Sequence, residues 1–179
     1  MNTVEVFREH RKTIVAQWIE AVFGTYPLDT TGFLRTKEDP FCNPVGEITT
    51  TVAGHLYDAV AGEHILEERV REALERFVKL RSVQDFPPSR GLGVVYVLKP
   101  LLRATLLPLF EAEGRTADYL EAESRLDTLA LMAFDMYIAS REVLAEQRIA
   151  EIRNQHAQLV RWARTVEGSP VGGPGGSKL

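Results

Sequence analysis

The 179-residue chain is 45% hydrophobic and 26% charged, with a formal net charge of −4, a balance that suits one domain with a sizeable core plus an extension. Net acidity argues against a nucleic-acid binder, which needs concentrated Lys and Arg, and the lone cysteine, Cys42, rules out an intrachain disulfide and a paired-thiolate zinc site and suits a reducing cytoplasm. The amino terminus lacks the basic start and apolar run of a secretory signal, and the longest apolar stretch, 91–110, is interrupted by Lys99 and Arg103, so no membrane span is expected.

Residues 3–24 predict the first helix. Phe7, Ile14, Trp18 and Val22 make one stripe, Val15 and Ile19 widen it, and Gly24 ends it. Residues 25–45 then change character, with Pro27, Pro40 and Pro44, Thr-rich turns and no sustained period. They read as a long ordered loop whose Phe33, Leu34 and Phe41 tuck against the core. A second helix is expected over 44–61, with Ile48, Val52, Leu56, Ala59 and Val60 inward and Gly62 as its stop. A third covers 65–83, burying Leu66, Val70, Leu74, Phe77 and Leu80. On its wet side Glu67 and Arg71, Glu72 and Arg76, and Glu75 and Lys79 are (i, i+4) pairs, each adding only about 0.2–0.5 kcal/mol.

A break over 85–90 precedes a fourth helix over 88–113. Pro100 and Pro108 lie inside it and predict a bend near each, or a break at Pro108, because each removes a backbone donor and crowds the preceding turn. Gly91 and Gly93, each costing about 1 kcal/mol in a helix relative to Ala, predict a close helix crossing. The last helix spans 119–166 and changes midway. Its part over 126–139 is apolar nearly all round, as expected of a helix sunk in a core. Beyond it Ala145, Ile149, Ile152, His156, Leu159, Ala163 and Val166 alternate spacings of three and four, the seam of a short coiled coil. One helix is thus expected to fill a core and then, over 143–166, to project toward a partner helix. Arg153, Arg161 and Arg164 share it with Glu146 and Glu151 and read as a solvated face. Residues 167–179, rich in Gly, Ser and Pro, read as a disordered tail.

With the helices placed, several words come into register: Thr25-Tyr-Pro27, Asp39-Pro-Phe-Cys-Asn-Pro-Val-Gly46, Arg81-Ser-Val-Gln-Asp-Phe-Pro-Pro-Ser89 with Leu98-Lys99, then Asp135-Met-Tyr137, Arg141-Glu142, Arg148 and Glu151. In order and spacing they resemble the amino-terminal domain of the RsbR-type co-antagonists of bacterial stressosomes. The resemblance touches most of residues 10–155 and implies a non-haem, globin-like domain that dimerises through its last helices and has protein signalling partners. In that family the domain passes into a STAS domain, whereas here only the tail follows Val166, so a stand-alone sensor or adaptor module is expected.

Haem is the sharp test for a globin-like domain, since it needs a histidine aimed into an apolar pocket. His10 sits among charges, His64 at a helix start and His156 on the seam; His55, beside Val52 and Leu56, is the remaining candidate and reads first as a hydrogen-bonded core residue. Cys42 reads as a small packing residue in a loop rather than a nucleophile. Lys99 and Asp135, each in an apolar helix, are expected to form a buried pair or to line a small cavity. Phosphate-binding glycine loops, HExxH pairs and nucleophile elbows do not occur. The expectation is therefore an all-α, globin-like domain over 1–166, cytoplasmic, dimeric and non-catalytic, without a cofactor, that signals through its last helix. The alternative is a haem- or small-ligand-binding globin-type sensor.

Overall fold

The computed structural model describes residues 2–27, 43–63, 67–84 and 86–167, with side chains to Trp162, and among them there are seven α-helices and no strand. They are α1 (Thr3–Phe23), α2 (Pro44–Ala61), α3 (Glu67–Val83), α4 (Pro88–Tyr96), α5 (Leu98–Thr105), α6 (Leu107–Ala112) and α7 (Thr116–Glu167). Phe33, Leu34, Phe41, Cys42, His64, Leu66 and the tail over 168–179 lie outside the described residues.

Local chemistry sets the ends of these helices. At the start of α1 the Asn2 side chain accepts the Glu5 N–H and the Glu5 carboxylate accepts the Asn2 N–H, both at 2.8 Å, closing two donors that a helix start leaves open. Asn43 caps α2 by accepting the Gly46 N–H at 2.8 Å, with Pro44 at the first helical position. A Cβ at residue 46 would lie 2.3 Å from the Asn43 amide nitrogen, so glycine there is what lets the cap close. Gly62 ends α2 in the left-handed region, at φ 82°.

The single helix expected over 88–113 is three, interrupted at Val97 and Leu106. Pro100 offers no N–H to the Tyr96 carbonyl and Pro108 none to that of Ala104, and α4 and α5 end within a residue of those carbonyls. Gly91 is packed tightly, as expected, but a Cβ at Gly93 would meet nothing within 4 Å, so only one of the two glycines marks a close approach. On α3, Lys79 reaches Glu75 at 3.3 Å, whereas Arg76 reaches across to Glu47 of α2 at 2.7 Å.

The chain divides into two compact units, Met1–Arg141 and Glu142–Leu179. The first holds the core. Phe7, Ile14, Trp18 and Val22 of α1 pack with Val52, Leu56, Tyr57 and Val60 of α2, Val70, Leu74 and Phe77 of α3, Leu98 and Leu102 of α5, and Phe110 of α6. Two buried aromatic tips are satisfied: the Trp18 indole donates to the Val94 carbonyl at 2.6 Å and the Tyr57 hydroxyl to the Phe7 carbonyl at 2.7 Å. From α7 come Tyr119, Ala122, Leu126, Ala130, Ala133 and Tyr137, spaced by three and four. That is one face only. Leu131, Phe134 and Ile138 are 64%, 47% and 36% exposed, which corrects the expectation of a helix buried all round.

Candidate functional site

The turn from α3 into α4 is built around a buried charge. Arg81 continues the inward stripe of Leu74, Phe77 and Val78 and is fully buried. Its guanidinium donates to the Gly91 carbonyl at 3.3 Å, to Thr25 Oγ1 at 2.9 Å and to the Arg90 carbonyl at 3.3 Å. It also lies 4.2 Å from the centroid of the Phe86 ring and 5.2 Å from that of Tyr26. Its place in the last turn of α3 adds the favourable end of the helix dipole. Sequence reading places Arg81 in a word of the resemblance but misses its burial, because a charge near a helix end ordinarily faces water. The available signal was its position four residues after Phe77, on the buried stripe.

The same turn is tied to α7. The Tyr137 hydroxyl donates to the Phe86 carbonyl, the hydroxyls of Ser82 and Ser140 share a hydrogen bond of 2.7 Å, and Arg141 donates to the Ser82 carbonyl at 3.1 Å. Gly91 makes room for the Tyr137 ring, since a Cβ there would stand 2.9 Å from Tyr137 Cε2. Residues 137–141, the end of the first unit, are thereby fixed to the turn. Beside the turn opens a cleft of about 570 Å³ lined by Thr25, Tyr26, Gln84, Phe86 and Arg90. A second cleft, of about 490 Å³, has Ala59, Val70, Leu129 and Met132 on its walls and Glu63, Glu67, Glu68, Arg71 and Arg125 as its charged members.

Lys99 and Asp135 are not brought together. Lys99 Nζ binds Asp127 at 2.8 Å and lies 3.7 Å from Glu123, while Asp135 is exposed. The buried carboxylate of this group is Glu123, held by a two-pronged bond from Arg103 at 2.6 and 3.0 Å and by the Tyr119 hydroxyl at 2.9 Å. The Arg103 hydrogen bonds, reinforced by Tyr119 and the nearby Lys99, keep the Glu123 carboxyl below the usual carboxylate range against the opposing effect of burial.

His55 lies on α2 with Nδ1 buried and without a hydrogen-bond partner, beside a cleft of about 290 Å³ that it shares with Thr51, Arg69, Glu72 and Arg76. His10 Nδ1 instead bonds the Val6 carbonyl at 3.1 Å. Of the seam residues, Ala145, Ile149, Ile152, His156 and Leu159 are exposed on α7, while Ala163 and Val166 belong to the same helix beyond the described side chains. Among the described residues there is no cluster of His, Cys, Asp and Glu fit to hold a metal ion, and no helix long and apolar enough to cross a membrane.

The class defined by these features is an all-α domain closed by one long final helix. Within that class, the family model for the RsbT co-antagonist protein RsbRD N-terminal domain matches residues 12–152, and the chain belongs to that family of stressosome sensor domains. The matched span takes in every word on which the resemblance rests, from Thr25 to Glu151. Comparison with curated proteins and with solved structures returns no match.

Proposed function

We propose that the chain is a non-catalytic sensory and protein-interaction domain, globin-like and cytoplasmic. It works as a homodimer through α7 and passes changes in the packing of its first unit along that helix as a small rotation or shift. The observation that carries this reading is the water-facing apolar series on α7. Ile149, Ile152 and Leu159 are 50%, 65% and 64% exposed, with Ala145 and His156 completing the spacing of three and four. In sequence, Leu131, Ile138, Ala145, Ile152, Leu159 and Val166 recur at every seventh position. Apolar groups repeated at that interval are favourable only against a partner, and a second copy supplies the same stripe.

Magnitudes set how much of the stripe is needed. Fully burying an aliphatic side chain contributes about 1.5–3 kcal/mol, and side chains already partly covered contribute roughly two thirds of that. Ile149, Ile152 and Leu159 from two copies then give about 6–12 kcal/mol, comparable with an association cost of about 4–15 kcal/mol. A seam confined to these residues is marginal. The proposed interface therefore includes Leu131, Phe134 and Ile138 of the first unit as well. The test is light scattering on the native chain and on Ile152→Asp combined with Leu159→Asp. A dimeric native chain and a folded monomeric variant are expected. A monomeric native chain at about 100 μM, or a variant of unchanged dimer mass, sinks the reading.

A haem-binding sensor centred on His55 is not supported by its surroundings. The residues it faces across the cleft are Arg69, Glu72 and Arg76, and charged walls do not suit a porphyrin, which needs an apolar pocket. A stoichiometric Soret band after incubation with hemin would reverse that judgement.

A further inference from the structure

We propose that the cleft beside the α3–α4 turn binds a small organic anion, a carboxylate on a flat apolar body. Arg81 is fully buried, yet its hydrogen bonds go to two carbonyls and a hydroxyl and its flanks to two rings, so no carboxylate among the described residues answers its charge. Arg90, exposed on the cleft wall, is a second guanidinium, 5.4 Å from the centroid of the same Phe86 ring. No acidic residue appears among the described lining of the cleft. Among the described residues, a buried cation without a counter-ion and an exposed one beside it leave a positive potential that an anion relieves.

The donors and walls narrow the class. Arg90 presents a planar fork of the kind that matches a carboxylate with two parallel bonds. The Tyr26 hydroxyl donates to Gln84 Oε1 at 2.9 Å, which turns the other end of that amide into a donor for a ligand. Thr25 is occupied, since its hydroxyl accepts from Arg81 and donates to the Val22 carbonyl at 2.7 Å. The rings of Tyr26 and Phe86 meet edge to face, 6.2 Å between centroids, and form an apolar corner that suits a flat group rather than a hydrated inorganic anion. Phe86 also bears the carbonyl that holds Tyr137 of α7, so an occupant stacked on Phe86 presses on the turn that fixes residues 137–141. That consequence rests on the sensory reading above; binding does not.

Benzoate is the probe, with benzamide as its neutral counterpart and inorganic phosphate as an anion without a flat body. Calorimetric titration of the full chain is expected to give saturable benzoate binding with Kd on the order of 1 mM, at least about tenfold tighter than either control. Arg90→Gln is expected to abolish saturation while its melting temperature without benzoate stays that of the native chain, because Arg90 is exposed. Arg90→Lys should retain weakened binding. The proposal is overturned if benzoate fails to saturate by about 20 mM, if benzamide or phosphate binds equally well, or if Arg90→Gln binds as the native chain does. Benzoate binding that leaves dimer dissociation unchanged supports the site and counts against transmission through α7.

Discussion

Adding the same methyl group two residues apart on α4 should have opposite effects on stability. At Gly91 the new Cβ would stand 2.9 Å from Tyr137 Cε2 and 3.3 Å from both Cζ and the hydroxyl, inside normal contact distance. The Tyr137 ring is fully buried and its hydroxyl is fixed to the Phe86 carbonyl, so it cannot swing aside without losing that bond. Overpacking of this kind costs about 1–3 kcal/mol. Replacing a helical glycine by alanine gains about 1 kcal/mol in propensity, which leaves Gly91→Ala destabilised by about 0–2 kcal/mol. At Gly93 a Cβ meets nothing within 4 Å, so only the gain remains and Gly93→Ala should be stabilised by about 0.5–1 kcal/mol. Urea melts of both variants measure a difference of about 1–3 kcal/mol, free of any shared error in the absolute values. Equal effects at both positions, or destabilisation at Gly93, would refute the packing argument and with it the tight seat of Tyr137 on α4.

Two further expectations follow from the charges and a third from the seam. Glu123→Gln removes a carboxylate whose acidity is raised chiefly by Arg103, so the native chain should exceed the variant by about 1–3 kcal/mol at neutral pH. Because the folded group ionises at lower pH than the unfolded one, near 4.3, that advantage is complete above the unfolded value and disappears as pH falls through the folded one. Melts that show the same gap at pH 3 and pH 7 contradict this. Arg81→Met leaves the carbonyls of Arg90 and Gly91 without their buried donor and should cost about 2–5 kcal/mol, while a loss under about 1 kcal/mol means that the guanidinium is not needed to hold the turn. Helix content, by circular dichroism, should fall when Ile152→Asp and Leu159→Asp are combined, since a single helix of this composition without a partner is marginal in water.

Much of the fold was legible because it is written in local chemistry. Gly62 stops a helix and Asn43-Pro44 starts one through backbone preferences that need no neighbours, and Pro100 and Pro108 mark interruptions for the same reason. What was not legible depends on who the neighbour is. Residues 126–139 are apolar on two sides, and sequence does not say that Leu126, Ala130, Ala133 and Tyr137 meet the core while Leu131, Phe134 and Ile138 meet water. Lys99 had several acids within reach in sequence, and only the packing of α5 on α7 selects Asp127 over Asp135. Arg81 was hidden by the habit of placing charge outside, although its spacing from Phe77 put it inside.

The two apolar stripes of the first unit's α7 are not opposite each other, and this bears on how the proposed signal would travel. Each residue of an α-helix lies about 100° round from the last, so Leu131, Phe134 and Ile138 stand about 100° from Ala130, Ala133 and Tyr137. Any turn of the helix about its axis moves both stripes through the same angle. Tyr137 restricts that turn at two points, by its contact with Gly91 and by its bond to Phe86, and Ser140 and Arg141 add two more ties to Ser82. Four restraints thus fall within little more than one helical turn. Under the proposed mechanism, a close-packed seat of this kind favours a discrete shift of α7 over a gradual one. In the mechanism proposed above, the signal would reach the exposed stripe as a change of register set at the α3–α4 turn.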